Sequence, residues 1–464
     1  MSTSWKPASA RAVPATWDEV HGNDEAMTEP PPLPGLPGCR RCQRPLVVVL
    51  VSALLFPLLL ALLLACGDRE AGVPTLRWYV FNERSGAFQE AARRCSQASD
   101  GAYRVDFVPL PADASQQREQ LVRRLAAEDS DIDIIGMDVI WTAEFAEAEW
   151  ILPWPRETAG EVAANRLGPP VESARYDGRL WAVPFTTNAQ LLWYRTDRVD
   201  RPPETWAEMI HMAEELGEVG TIEAQGERYE GFTVFFVSLL ASAGGSVLEE
   251  GEATDFGAAV ALPREPTLDA LRVMRKLATS PAADPSLPRA REDQARLAFE
   301  AGGASFMVNY TFVWPSARRN APEVAEHMGW ARWPAVAPDR PSRVTVGGIN
   351  LAVGAYSRHP ELAFRAAECI ASPENQRLAA SQGGLPPTIE SLYDEEEVRE
   401  TFPFADLLRE TLRDAVQRPR TPLYTDVSLA ISHTLHPMSE IRPEEDLQRL
   451  RDALGRALRS EGLF

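Results

Sequence analysis

Beyond residue 74 the apolar positions recur in two rhythms. Thr75-Leu76-Arg77-Trp78-Tyr79-Val80 is a mostly apolar run of strand length. From Gly86 to Ala98 the spacing becomes helical, with Phe88, Ala91, Ala92 and Cys95 on one face. Tyr103 to Pro109 reads as a second strand, and Gln116 to Ala127 as a helix with Leu121, Leu125 and Ala126 inward. Asp133-Ile134-Ile135-Gly136-Met137 is a third strand that delivers Asp138 at its carboxyl end. Strands alternating with helices predict a parallel sheet covered on both faces, with any ligand beyond the carboxyl ends of the strands.

The middle of the chain changes character. Asn188 to Tyr194 reads as one strand, and Thr205 stands where it would cap the helix after Pro202-Pro203. Leu268 to Leu277 and Gln294 to Glu300 are helical stretches, and Phe306 to Tyr310 ends another strand. Val344 to Val353 is largely apolar but holds Gly347 and Gly348, which mark a bend or a close backbone approach. Trp150, Trp154, Trp193 and Trp206 fall at core positions. No short repeat is present, which argues against a solenoid.

The first part of the chain follows other rules. The residues before Cys39 are polar and proline-rich, a composition that does not bury a core. Met27 is an alternative start. From Pro45 to Ala65 every residue except Ser52 is apolar or proline, and Arg40, Arg41 and Arg44 precede the run. The run ends in Leu63-Leu64-Ala65-Cys66, which resembles a bacterial lipobox. That resemblance implies a lipid on Cys66 and cleavage before it. The run is also long enough to span a bilayer uncleaved. On either reading the bulk of the chain lies outside the cytoplasm, anchored at the cell membrane. Cys39 and Cys42 form a CxxC without further ligands nearby. Cys95 and Cys369 remain, either bridged, as an oxidising compartment favours, or as two separate buried thiols.

At 464 residues the chain has room for two or three domains. Its net charge is −20, and the first 65 residues balance five basic against five acidic side chains, so the remainder carries it all. Such a surface repels a nucleic-acid backbone and suits a neutral ligand. The six histidines form no ligand cluster, so neither a metal nor a cofactor is expected.

These elements, in this order, resemble the extracellular solute-binding proteins of ABC sugar importers, the maltose-binding-protein group. The landmarks are Asp138-Val139-Ile140-Trp141, Pro184-Phe185-Thr186-Thr187-Asn188 with Leu192-Trp193-Tyr194-Arg195, Asn309-Tyr310, Gly347-Gly348-Ile349-Asn350 and Gly383-Gly384-Leu385-Pro386-Pro387. Within that group the chain is similar to the actinobacterial trehalose-binding lipoproteins of the LpqY type. The runs in common are Asp138 to Phe145, Thr186 to Arg195, Ala295 to Glu300 and Arg418 to Tyr424.

The resemblance implies an α/β, two-lobed periplasmic-binding-protein-like fold of type II topology, with a hinge and an interlobe cleft. Residues 1–65 would be tail and signal peptide and 66–74 a tether. Lobe one would hold 75–187 and 351–384, and lobe two 190–346 and 389–464. Cys95 and Cys369 then share lobe one, on helices of one sheet, which favours the bridge. The function implied is a monomeric binder, not an enzyme, that delivers a disaccharide, trehalose, to permease subunits with a cytoplasmic ATPase. The alternatives are another oligosaccharide or polar solute, or hydrolysis by a carboxylate pair.

The residues that resemble the family's sugar-binding positions are Asp138, Asn188, Glu292, Tyr310 and Arg418, with Trp141, Gly348 and Tyr424 behind them. A carboxylate or guanidinium engages adjacent hydroxyls, and an aromatic ring covers the C–H face of a sugar. The resemblance sets Asp138 and Arg418 on opposite lobes, each completed only by the sugar. Tyr310 departs from the family, which often has tryptophan there. Taken alone, Asp138 could merely cap a helix, Glu292 could belong to a solvated charge run, and Tyr310 could be core.

Overall fold

The computed structural model describes residues 72–249 and 259–461. The apolar run before Cys66, the lipobox and the Cys39–Cys42 pair lie outside the described residues. Among those described, no helix is long and apolar enough to cross a membrane.

Two sheets, each with its own apolar core, organise the chain. The first has strand order β2-β1-β3-β11-β6, from β1 (Thr75–Phe81), β2 (Arg104–Leu110), β3 (Ile134–Asp138), β6 (Ala182–Asn188) and β11 (Gly347–Val353). A short hairpin of β4 (Arg175–Tyr176) and β5 (Arg179–Leu180) precedes β6. The second sheet has order β10-β7-β9-β8, from β7 (Leu191–Arg195), β8 (Thr221–Glu223), β9 (Ala304–Asn309) and β10 (Met328–Ala331).

The first sheet is not wholly parallel, contrary to the alternation rule. β1 runs parallel to β2 and β3, but β11 returns from far along the chain and lies antiparallel between β3 and β6. Its core holds Trp78, Phe88, Phe145 and Phe185, with helix Ala87–Ala98 on one face. Helix Pro360–Ile370 packs beside it, and Cys95 is joined to Cys369 by a disulfide across 274 positions. The second core gathers Trp193, Trp206, Trp333 and the apolar helix Glu230–Ser242. Thr205 caps helix Trp206–Leu216 as its sequence suggests, accepting from the Glu208 amide at 3.1 Å. Trp154, Trp193 and Trp206 are buried, and Trp150 packs against the first core.

The stretch read as one strand from Asn188 to Tyr194 is two. Asn188 ends β6 in the first sheet, and β7 begins at Leu191 in the second. Between them Gln190 is buried, donating its amide to Gln225 Oε1 at 2.7 Å, and Gln225 donates to the Val308 carbonyl at 2.9 Å. The chain changes sheets here with no glycine or proline, and the Gln190 and Gln225 amides meet only part of the polar demand, since Gln190 Oε1 is buried without a partner.

Candidate functional site

Three strand ends meet at one edge of the first sheet. Ile349 pairs with Asp138, Gly347 with Asn188 and Gly348 with Thr187. Thr187 Oγ1 donates to the Gly347 carbonyl at 3.1 Å. Gly348 has φ +136°, and a Cβ there would lie 2.2 Å from the Thr186 carbonyl oxygen. Only glycine lets β11 approach β6 so closely. β11 thereby stands between Asp138 and Asn188, which pair with Ile349 and Gly347 on its two sides.

Asp138 ends β3 and does two things with one oxygen. Oδ1 accepts from the Ile140 amide at 3.2 Å, capping the turn Val139–Trp141. The same Oδ1 accepts from Arg418 Nη2 at 2.9 Å. The expectation that Asp138 and Arg418 are completed only by a sugar is thus corrected, since each partly completes the other. Both the capping role and the ion pair are real, and Oδ2 has no protein partner among the described residues.

Arg418 is buried, with 6% of its surface exposed. Burial works against its cation, but Asp138, Tyr424 and Glu230 hold its pKa well above the ordinary arginine range. Nη1 donates to Glu230 Oε1 at 2.8 Å. Nε is buried and has no acceptor. Leaving a buried charged donor unmet costs more than the roughly 1–3 kcal/mol of a neutral one. The side-chain Oδ1 of Asn188 is likewise buried without a partner.

From the second sheet come Glu292 and Tyr310. Asn309 ends β9 and links them, because its Nδ2 donates to the Glu292 carbonyl at 2.9 Å and its Oδ1 accepts from the Tyr310 amide at 2.9 Å. Glu292 opens helix Glu292–Glu300. Burial raises its carboxyl pKa, opposed by its own backbone amide, the Tyr229 hydroxyl and Arg291. Burial also raises the Tyr310 phenol, and the charges that act on it next are Glu292, Arg418, Asp138 and Glu230. Tyr310 therefore stands among the residues singled out from both sheets.

Two of the secondary candidates sit differently. Trp141 is drawn into the first core, only 2% exposed and stacked on Phe145 with ring centroids 5.9 Å apart, so it offers no open ring to a ligand. Tyr424 is equally buried, and its hydroxyl donates to Glu230. It acts through the residue it touches.

Glu230 was not singled out in the sequence. It starts helix Glu230–Ser242 and accepts from Arg418, from Tyr424 and, at 2.6 Å, from Ser428 Oγ. The available signal was a lone acid heading a helix with no polar face. Arg291 was missed as well. Its guanidinium reaches Asp113 Oδ2 at 3.2 Å and Glu227 Oε1 at 2.7 Å, and lies over the Tyr229 ring at 4.6 Å. Asp113 caps helix Ala114–Leu125 of the first core, so Arg291, like Arg418, ties the two halves together.

Known proteins share the chain's family and fold. Residues 85–377 match the family described as bacterial extracellular solute-binding protein. A probable ABC transporter-binding protein of Deinococcus radiodurans is 29% identical over 371 residues, covering 76% of this chain and 86% of that one. Maltose-bound MalE3 of T. maritima is 26% identical with a TM-score of 0.73, covering 82% of this chain and 98% of that one. The GacH receptor of Streptomyces glaucescens, solved unliganded and with acarbose, is 21% identical with a TM-score of 0.72, covering 84% of this chain and 99% of that one. The two-lobed fold is common to them, and with more than half its length matched, the chain belongs to the bacterial extracellular solute-binding protein family.

Proposed function

We propose that the chain is the lipid-anchored binding component of an ABC sugar importer and takes a disaccharide, trehalose first, between its lobes. The observation that carries this reading is the Asp138–Arg418 pair. It offers a carboxylate oxygen and a buried guanidinium N–H together, and neither has a protein partner. Adjacent hydroxyls of a sugar both donate and accept, so one sugar edge can satisfy both. Asn188 would add an amide, Glu292 a second carboxyl and Tyr310 a ring against the C–H face. Relatives support the ligand class, since MalE3 is described with maltose and GacH with acarbose.

In this reading the lobes are 75–187 with 351–384, and 190–346 with 389–464, hinged near Asn188, Gly347 to Asn350, and Gly384 to Thr388. The partners are the permease subunits and their cytoplasmic ATPase, and Cys66 carries the anchor to the outer face of the membrane. The protein acts as a monomer. The test is a thermal-shift panel of disaccharides, because a ligand bound only by the folded state raises the midpoint. Trehalose should give the largest rise. No shift with any sugar would refute the reading. A larger shift with another disaccharide would keep the cleft and change its ligand.

A further inference from the structure

We infer that Glu230 is the positioning residue for Arg418, keeping its guanidinium on the second lobe and aimed for ligand when the lobes part. This rests on the cleft reading above. Arg418 is shared between two carboxylates that belong to different halves of the molecule. Asp138 ends a strand of the first sheet, and Glu230 opens a helix of the second core. The two bonds to Arg418 are alike, one shared oxygen each at 2.9 Å from Asp138 and 2.8 Å from Glu230. The difference lies in what else holds each carboxylate: among the described residues, Asp138 has only the Ile140 amide.

Glu230 is itself fixed from both sides. Oε1 accepts from Arg418 Nη1 and from the Tyr424 hydroxyl, and Oε2 accepts from Ser428 Oγ. Tyr424 and Ser428 lie one helical turn apart on helix Tyr424–Leu435, and Ser428 also meets Thr233 Oγ1 at 2.9 Å. The Arg418 guanidinium lies 5.9 Å from the Tyr424 ring centroid. The carboxylate is thus locked to two side chains of its own lobe before it touches the arginine. Separation of the lobes breaks the single Asp138 contact and leaves Arg418 with Glu230. A preset donor loses less freedom when the ligand arrives.

The test has one arm that needs a sugar and one that does not. In the sugar-free protein, phenylglyoxal labelling of Arg418 is followed by peptide mass spectrometry in the parent, in Glu230→Gln and in Ser428→Ala. The expected result is faster labelling in both variants, the larger increase in Glu230→Gln. In the second arm, Glu230→Gln weakens disaccharide binding roughly 10- to 100-fold, but causes no further loss in an Arg418→Ala background. Labelling as slow as in the parent in both variants, or equal losses of binding in both backgrounds, overturns the inference. A parent that binds no disaccharide refutes the ligand assignment, and the labelling arm still decides the role of Glu230. If Glu230→Gln fails to fold, Ser428→Ala decides by the same labelling.

Discussion

Glu223 ends β8 with only 2% of its surface exposed, and its Oε2 has no partner. A bridge between Ile222 and Ala283 brings Asp284 alongside. Burial first, then the Asp284 charge and hydrogen bond, pushes the Glu223 carboxyl from an ordinary 4.5 to about 8. A carboxyl that holds its proton more tightly folded than unfolded loses stability as pH rises. The penalty begins above the unfolded value and is complete above about pH 8. Glu223→Gln keeps a donor toward Asp284 and removes the charge. It should raise the unfolding free energy by on the order of 3–5 kcal/mol at pH 9 and change little at pH 4, as read by denaturant titration at both values. An equal effect at both would show that Glu223 does not titrate on unfolding. Neither this residue nor Glu230 stood out in the sequence, because a single acid beside an apolar run reads as a helix or strand end. Asp138 and Arg418 are 280 positions apart, and only the resemblance brought them into one site.

At the scale of elements, legibility followed periodicity. Helix Ala87–Ala98 has one buried stripe and was read almost to the residue. Helix Glu230–Ser242 buries Phe232, Phe235, Phe236, Leu239 and Leu240 around its whole girth, so no 3.6-residue rhythm survives to mark it. Strand β6 was missed because Pro184 interrupts it, which is tolerated because β6 is the edge strand of its sheet. The Cys95–Cys369 disulfide binds helix Ala87–Ala98 to helix Pro360–Ile370, two elements that meet only through the fold. Closing so long a loop restricts the unfolded chain. Replacing Cys95 and Cys369 together by serine should cost roughly 2–5 kcal/mol of stability, measured by denaturant titration without reductant. Midpoints equal to the parent's would show that the bridge contributes nothing.

At the scale of the whole molecule, two cores and two sheets are joined where the chain crosses between them, and the polar residues of interest converge there. Fold and family could be read early because they rest on long runs such as Thr186 to Arg195, whereas the Asp138–Arg418 pair depends on how the halves meet. The proposed anchor at Cys66 belongs to this scale too. Cys66→Ala should accumulate as an unprocessed precursor without lipid, seen by fatty-acid labelling and mass on immunoblot. Normal labelling in that variant would exclude the lipobox.

Binding of a sugar against the Asp138–Arg418 pair is tested most directly by calorimetric titration of trehalose. The parent is compared with Asp138→Ala, Arg418→Ala and Tyr310→Trp. A lost charge-assisted partner is worth about 2–3 kcal/mol, so each alanine variant should bind roughly 30- to 150-fold more weakly while remaining folded. Tyr310→Trp should retain binding, because the larger ring still covers the sugar face. Folded alanine variants that bind trehalose as tightly as the parent would contradict the account.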